Sequence, residues 1–237
     1  MKRFIIGEDF FDLFPDDKIG IITCYDIDNI IKDEDKYKEL LRDSEKTALN
    51  HLKNPDFSSN DVIKVWRDAF QKFKTKKGAR SSIEALLKRA YNSNPIGTIN
   101  PLVDIYNSIS LKYAMPCGGE DIDTFSGDVR LTKANGDEAF ITLGSEENAP
   151  PYEGEIIYKD DDGAICRCWN WRESVRTMLT ENTKNAFLCI ELVDEKRVNE
   201  FEAALNELAK LVEENLGGTF NIYILDKNNK EIVIDKI

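Results

Sequence analysis

Ala186-Phe187-Leu188-Cys189-Ile190-Glu191-Leu192-Val193, running on into a helix-patterned stretch that stops at Gly217-Gly218, decides the fold class of this chain. Residues 186–193 form an apolar run broken by a single carboxylate, the pattern of a buried strand. From about 195 to 216, Val198, Phe201, Leu205, Leu208 and Val212 recur at spacings of three and four, which predicts an amphipathic helix ended by the glycine pair. Two strands, near 219–225 and 231–236, follow, joined by a turn at Lys227-Asn228-Asn229. Glu191 is ambiguous on pattern alone. On a half-exposed strand it faces water; on a buried one it needs partners or a purpose.

Working outward, strands and helices mix along the chain. Residues 3–6 and 18–25 read as strands. Asp33 to Lys53 reads as a charged helix with a thin apolar stripe, and 54–60 as a turn-rich linker containing Pro55. Asn60 or Asp61 caps a helix whose Val62, Val65, Trp66, Ala69, Phe70 and Phe73 share one face. Lys74 to Gly78 is a basic loop. Ser81-Ser82-Ile83-Glu84 has capping-box spacing ahead of a short helix, and Pro101 suits the first position of the next one. Asn135-Gly136 predicts a hairpin between strands near 128–133 and 138–143. Asp160-Asp161-Asp162-Gly163 joins strands near 155–159 and 164–168. The expectation is an α+β protein: one domain over 1–237, with a mixed or antiparallel β core and flanking helices.

Composition narrows the function classes. The chain has 237 residues, 41% hydrophobic and 32% charged, with a formal net charge of −12. That composition supports a globular core and argues against indiscriminate nucleic-acid binding. No apolar run approaches the roughly 18–20 residues of a membrane span, and the N-terminal run is too short for a secretory signal, so cytoplasm is the expected location. Five scattered cysteines (24, 117, 166, 168, 189) and one histidine, His51, suit reduced, mostly buried thiols better than a zinc site. No metal or cofactor is expected. P-loop and dinucleotide glycine patterns are absent, and His51 lies far from any nucleophile context.

Four features point toward a ligand. Trp169-Asn170-Trp171-Arg172 combines aromatic bulk with arginine, and Arg176 follows. This reads either as one wall of a pocket for an aromatic or anionic ligand, or as Trp in the core with Arg at its rim. Between Lys64 and Arg89, nine basic residues, Arg80 among them, stand against two acidic ones, a contrast with the acidic background that suits phosphate contact. Asn100, Asp104 and Asn107 fall near one helix face, where they brace backbone or line a site. Asp121 and Asp123 flank Ile122, a spacing that serves turn capping, acid–base work or a hard cation.

Set in order, Leu102-Val103-Asp104-Ile105-Tyr106-Asn107, then Pro116-Cys117-Gly118-Gly119-Glu120-Asp121-Ile122-Asp123, the strand from Gly127 to Arg130 and the turn at Asn135-Gly136 resemble the editing domain, the B3/B4 region, of the phenylalanyl-tRNA synthetase beta subunit. The similarity runs from about Lys64 to Val193. Ser81-Ser82-Ile83-Glu84-Ala85-Leu86 and Trp169-Asn170-Trp171-Arg172 resemble free-standing proteins that carry this domain without a synthetase. In the synthetase the domain hydrolyses tyrosine wrongly esterified to the tRNA for phenylalanine. The resemblance implies a pocket for aminoacyl-tRNA or an amino-acid-like ligand on an α+β core. It places the family's tyrosine-recognising glutamate on or near Glu191, its threonine on Tyr106, and its histidine, two residues after the proline, on Gly118.

The expected activity is therefore binding of aminoacyl-tRNA or RNA, with hydrolysis of misacylated esters in trans and no catalytic residue assigned. Glu191 would select the aminoacyl group. Asn100, Asp104 and Asn107 would order the pocket or its water, Trp169 or Trp171 would stack, and Arg80, Arg172 and Arg176 would grip anionic parts. The alternatives are a non-catalytic module for a free amino acid, nucleotide or small aromatic metabolite, and an interaction scaffold built on the 195–216 helix.

Overall fold

Residues 1–236 are described by the computed structural model, and in chain order they hold β1 (Arg3–Ile6), α1 (Glu8–Phe11), β2 (Lys18–Tyr25), α2 (Glu34–Ala48), α3 (Asp61–Phe70), α4 (Ser82–Tyr91), α5 (Pro101–Tyr113), β3 (Cys117–Asp121), β4 (Val129–Lys133), β5 (Ile156–Asp160), β6 (Gly163–Arg167), β7 (Arg172–Glu173), β8 (Ala186–Leu192), α6 (Val198–Leu216), β9 (Thr219–Leu225) and β10 (Glu231–Val233). The fold is α+β. One sheet has the order β3-β8-β2-β9 and is antiparallel throughout. The other has the order β10-β1-β4-β5-β6-β7 and is mixed, because β1 runs parallel to β4.

Strand β8 is buried along its whole length, and its two faces serve two cores. Ala186, Leu188, Ile190 and Leu192 pack with α5 and α6 residues such as Ile105, Phe201, Leu205 and Leu208. Phe187 and Cys189 point the other way, into the core shared with the mixed sheet through Phe4, Leu131, Ile156 and Tyr158. Period-two alternation puts Glu191 on that second face, between the sheets. The packing of α6 on β2 depends on Gly20, where a Cβ would overlap the Leu205 side chain.

Local signals account for the helix starts. The Ser81 hydroxyl accepts from the Glu84 amide at 3.4 Å, as the capping-box spacing requires. Asn100 caps α5 by accepting from the Val103 amide, with Pro101 in the first turn.

Three expectations change. No strand forms over 138–143. The Glu138 carboxylate accepts the amides of Asn135 and Gly136 at 2.9 and 3.0 Å and pairs with Lys159, so the Asn-Gly turn opens an irregular excursion. Strand β4 pairs instead with β5, twenty-odd residues later. The last two strands are not a hairpin either. β9 pairs with β2 and β10 with β1, so the turn at 226–229 carries the chain from one sheet to the other. The charged helix expected over 33–53 is α-helical only to Ala48 and closes in a 3-10 turn, Leu49–His51. Among the described residues, no helix is long and apolar enough to cross a membrane.

Candidate functional site

Lined by residues of both sheets, on β3, β8, β5 and β6, a cavity of about 730 Å³ opens to solvent. Its floor comes from Tyr106 on α5, Cys117 to Glu120 on β3, and Phe187, Cys189 and Glu191 on β8. Tyr158 and Cys166 of the mixed sheet face them. Residues 169–173 form one wall, and α4 with the loop before it forms the mouth.

Trp169, Asn170, Trp171 and Arg172 divide four tasks. Trp169 is 0% exposed and is ringed by Phe10, Phe14 and Trp66, with centroids 4.7–5.1 Å away. It is a core residue whose edge reaches the cavity. Asn170 is a clamp: its amide N–H₂ donates to Glu191, and its carbonyl accepts from the Ser82 amide at the start of α4. Trp171 lies at the mouth with Lys76 and Arg172 over its ring, 5.7 and 5.3 Å from the centroid. Cys168 and Trp169 both take positive φ, 45° and 63°, so the hairpin reverses through two non-glycine residues in the left-handed region. Burial of Trp169 and the Asn170 contacts hold that conformation in place.

Glu191 is 1% exposed. It accepts from the Tyr158 hydroxyl at 2.6 Å as well as from Asn170, and burial pushes its carboxyl up to about 7. Two further carboxyls share the cavity. Glu120, 8% exposed, has one oxygen buried without a partner, and burial with the nearby charge of Glu173 holds its pKa well above the usual range. Glu173, on β7, is exposed to solvent, and desolvation by the surrounding protein raises its carboxyl to about 7. None of the three carboxylates forms an ion pair among the described residues. Cys117, Cys166 and Cys189 line the same space, their thiols pushed up by burial and so poor nucleophiles.

The cations are at the mouth. Lys77, Arg80, Arg89 and Arg172 line it. Arg67, in the same basic segment, is engaged by Glu84 at 2.7 Å, and Lys88 lies over Phe57 and Tyr91.

Of the residues singled out in the sequence, Glu191, Asn107, Trp169, Trp171, Arg172 and Arg80 meet in this cavity. Tyr106 and Gly118 are there too. A Cβ on Gly118 would touch only the Cys189 sulfur, at 3.5 Å, so this floor position is open. Asn100, Asp104 and Arg176 are outside the lining. Asn100 caps α5 and takes an N–H from Asn29, and Asp104 accepts from the Ile99 amide. Arg176 is held by Asp160 at 2.6 and 2.9 Å. Asp121 and Asp123 brace a 3-10 turn, with Asp121 also taking the Thr183 hydroxyl and Asp123 the Asn185 amide. Tyr158, Glu120 and Glu173 were not legible as site residues, because only the assembly of the sheets, β3 on β8 and β5 with β7 on β6, brings them to one cavity with Glu191.

The raised carboxyl of Glu191 has a stability consequence. A carboxyl whose pKa is higher folded than unfolded favours folding while protonated, so its contribution is lost as pH rises from about 4.5 to about 7. Glu191→Gln is expected to flatten the fall in urea-unfolding stability between pH 5 and pH 8, by up to about 3 kcal/mol. Equal slopes in the two proteins would show that Glu191 is not buried as a titrating acid.

Known proteins resemble this chain over part of its length. A family model described as the B3/4 domain matches residues 65–217. The chain is 32% identical over 106 residues to the phenylalanine–tRNA ligase beta subunit of Mycoplasmoides gallisepticum, covering 45% of this chain and 13% of that protein. It is 34% identical over 70 residues to the same subunit of Leifsonia xyli subsp. xyli, covering 30% of this chain and 8% of that one. The alignments thus span only a small part of these relatives. An N-terminal fragment of the phenylalanyl-tRNA synthetase beta subunit from Pyrococcus horikoshii superposes with a TM-score of 0.47 at 16% identity, covering 92% of this chain and 49% of the fragment.

Proposed function

Because this chain belongs to the B3/4 domain family, shared with phenylalanine–tRNA ligase beta subunits, we propose that it receives the aminoacylated 3′ end of a tRNA and hydrolyses the ester in trans. The observation that carries this reading is the polarity of one cavity. Carboxyls lie at its floor, and cations with an exposed-edge indole lie at its mouth. A ligand fitting that gradient is cationic or polar at its inserted tip and anionic behind it. The end of an aminoacyl-tRNA has that order: an ammonium-bearing amino acid, an adenosine, then phosphates. Trp171 gives the terminal base a face to stack on, and Lys77, Arg80, Arg89 and Arg172 meet the backbone.

Ester hydrolysis needs a water positioned at the carbonyl and a group to take its proton. Carboxyls near 7, such as Glu173 and Glu191, divide between acid and base forms at neutral pH, where general acid–base catalysis is most effective. Glu191 is already engaged by Tyr158 and Asn170, which suits it to fixing the cavity wall. The histidine and threonine of the synthetase are Gly118 and Tyr106 here, so the substrate of the synthetase is not carried over with its fold.

The test is deacylation of a panel of correctly and wrongly acylated tRNAs, with binding measured in parallel at low salt. At least one ester is expected to decay faster than in buffer, with its acylated tRNA bound more tightly than the uncharged form. If every ester decays at the buffer rate and no tRNA binds, the reading is lost. Binding of small aromatic or nucleotide ligands without any response to tRNA, seen as thermal stabilisation, would support a small-molecule module instead.

A further inference from the structure

Glu191 and Glu120 lie in the same cavity but differ in what they hold. The Glu191 oxygens take the Tyr158 hydroxyl and the Asn170 amide. The Glu120 Oε2 is fully enclosed and closes no well-formed hydrogen bond among the described residues, the Thr177 hydroxyl being the neutral polar group beside it. Two more lining atoms close no well-formed bond, the Ser82 hydroxyl and the Trp169 indole N–H, the latter turned toward Glu191. Orphaned buried polar atoms are costly and uncommon, and a group of them along one cavity marks where a ligand supplies the missing bonds.

Glu120 stands on β3 and Glu173 on β7, joined through the cavity. No arginine or lysine pairs with either among the described residues. A neutral donor would satisfy the oxygens but leave two negative charges facing each other. A protonated amine brings three N–H donors and a compensating charge. Among the described residues, no three His, Cys, Asp or Glu side chains are placed to hold one metal ion.

Resting on the reading that an aminoacyl end enters this cavity, we propose that Glu120 and Glu173 form the subsite for the ligand's α-ammonium group, and that they select aminoacyl esters and amides over free amino acids. The second half follows from covalent distance. In a free amino acid the carboxylate is two bonds from the ammonium nitrogen, so seating one presses the other against the same acidic wall. Esterification removes that charge. A hydrolase built this way also releases its amino-acid product, because cleavage creates the repelled carboxylate.

Binding an ammonium requires ionised carboxyls, so affinity rises with pH until the amine itself loses its proton. The groups facing Glu120 are Glu173, the adjacent Asp121, Arg176 and, more weakly acidic, Tyr106, Cys166 and Cys189. Arg176 is engaged by Asp160, and Asp121 by Thr183 and backbone. Burial holds both glutamates above the usual carboxylate range, Glu173 at about 7, so their ionisation sets the pH dependence of this subsite.

The test is isothermal titration of the full chain with the carboxamides of leucine, phenylalanine, serine and lysine, beside the free amino acids and the N-acetyl carboxamides. At least one carboxamide is expected to bind at least about 10-fold more tightly than both its free acid and its N-acetyl form, a preference that grows from pH 6 to pH 8. Glu120→Gln, which removes a buried charge and should melt no lower than the wild type, is expected to abolish the preference. Equal binding of free acids or N-acetyl forms, a preference that survives in Glu120→Gln, or no carboxamide binding at all would overturn the proposal. Acylated tRNA separates the two levels. If wild type and Glu120→Gln bind it equally, the ammonium subsite is wrong and the tRNA reading stands. If neither binds it, the tRNA reading itself has failed.

Discussion

Trp169→Ala is expected to lower the unfolding free energy by about 3–5 kcal/mol, the range for emptying a large aromatic site in a closed core. Trp169 is the largest fully buried side chain of the protein, and it joins α1, α3 and the β6–β7 hairpin through Phe10, Phe14, Trp66 and Phe73. For a chain of this size the midpoint should fall by on the order of 10 °C. The loss reaches the site as well, since the strained turn at Cys168-Trp169 positions Asn170 against Glu191 and Ser82. Trp171→Ala is the informative contrast. That ring is only partly buried, at the mouth, so the variant should lose about 1 kcal/mol of stability and about 10-fold or more in affinity for acylated tRNA, the scale of one base–aromatic stack. A Trp169→Ala protein that melts like the wild type, or a Trp171→Ala protein that binds like it, would reverse the division of labour between the two indoles.

Charge reversal at the mouth has the largest expected effect on binding. Arg80→Glu combined with Arg172→Glu should weaken acylated tRNA binding by about 100-fold at low salt and reduce the slope of log affinity against log salt by about 1–2. These two arginines are suitable because neither holds the fold together. The nearest carboxylate to Arg80, Glu84, is 3.9 Å away and already bound by Arg67, and Arg172 lies over the face of Trp171 and forms no ion pair among the described residues. The thermal midpoint should stay close to that of the wild type, which separates lost contact from lost structure. Arg176→Glu would not be equivalent, since it would strand the fully buried Asp160 carboxylate. Unchanged affinity and salt slope in the double variant would show that nucleic acid does not approach through this mouth.

The parts of the fold readable from sequence are those set by local chemistry. The periodic apolar face of α6, the Ser81 and Asn100 caps and the apolar run of β8 depend on neighbours within a few residues, and they appear where the pattern puts them. The departures lie where distant partners decide. Asn135-Gly136 has the residues of a hairpin turn, but the Glu138 carboxylate, paired with Lys159, accepts its amides, and β5 supplies the strand that pairs with β4. The last two strands look like neighbours along the chain, yet each adds to a different sheet, where β2 and β1 present open edges.

The site divides in the same way. Two tryptophans two apart announce a pocket wall, but alternation cannot say which indole fills the core. Asn100, Asp104 and Asn107 share a helix face, and only Asn107 reaches the cavity. The other two are consumed by the cap of α5 and by the Ile99 amide. Glu120 follows two glycines in a short strand and gives no signal of burial in the sequence, because what buries it arrives from β7, β8 and α5.

The most direct measurement is a crystal structure of the full chain with a non-hydrolysable aminoacyl-adenosine amide. The aminoacyl group is expected in the cavity, its ammonium at Glu120 and Glu173, with the adenine on Trp171. The analogue bound on another surface, or in the cavity with its ammonium turned out toward Arg80 and Arg172, would contradict that placement.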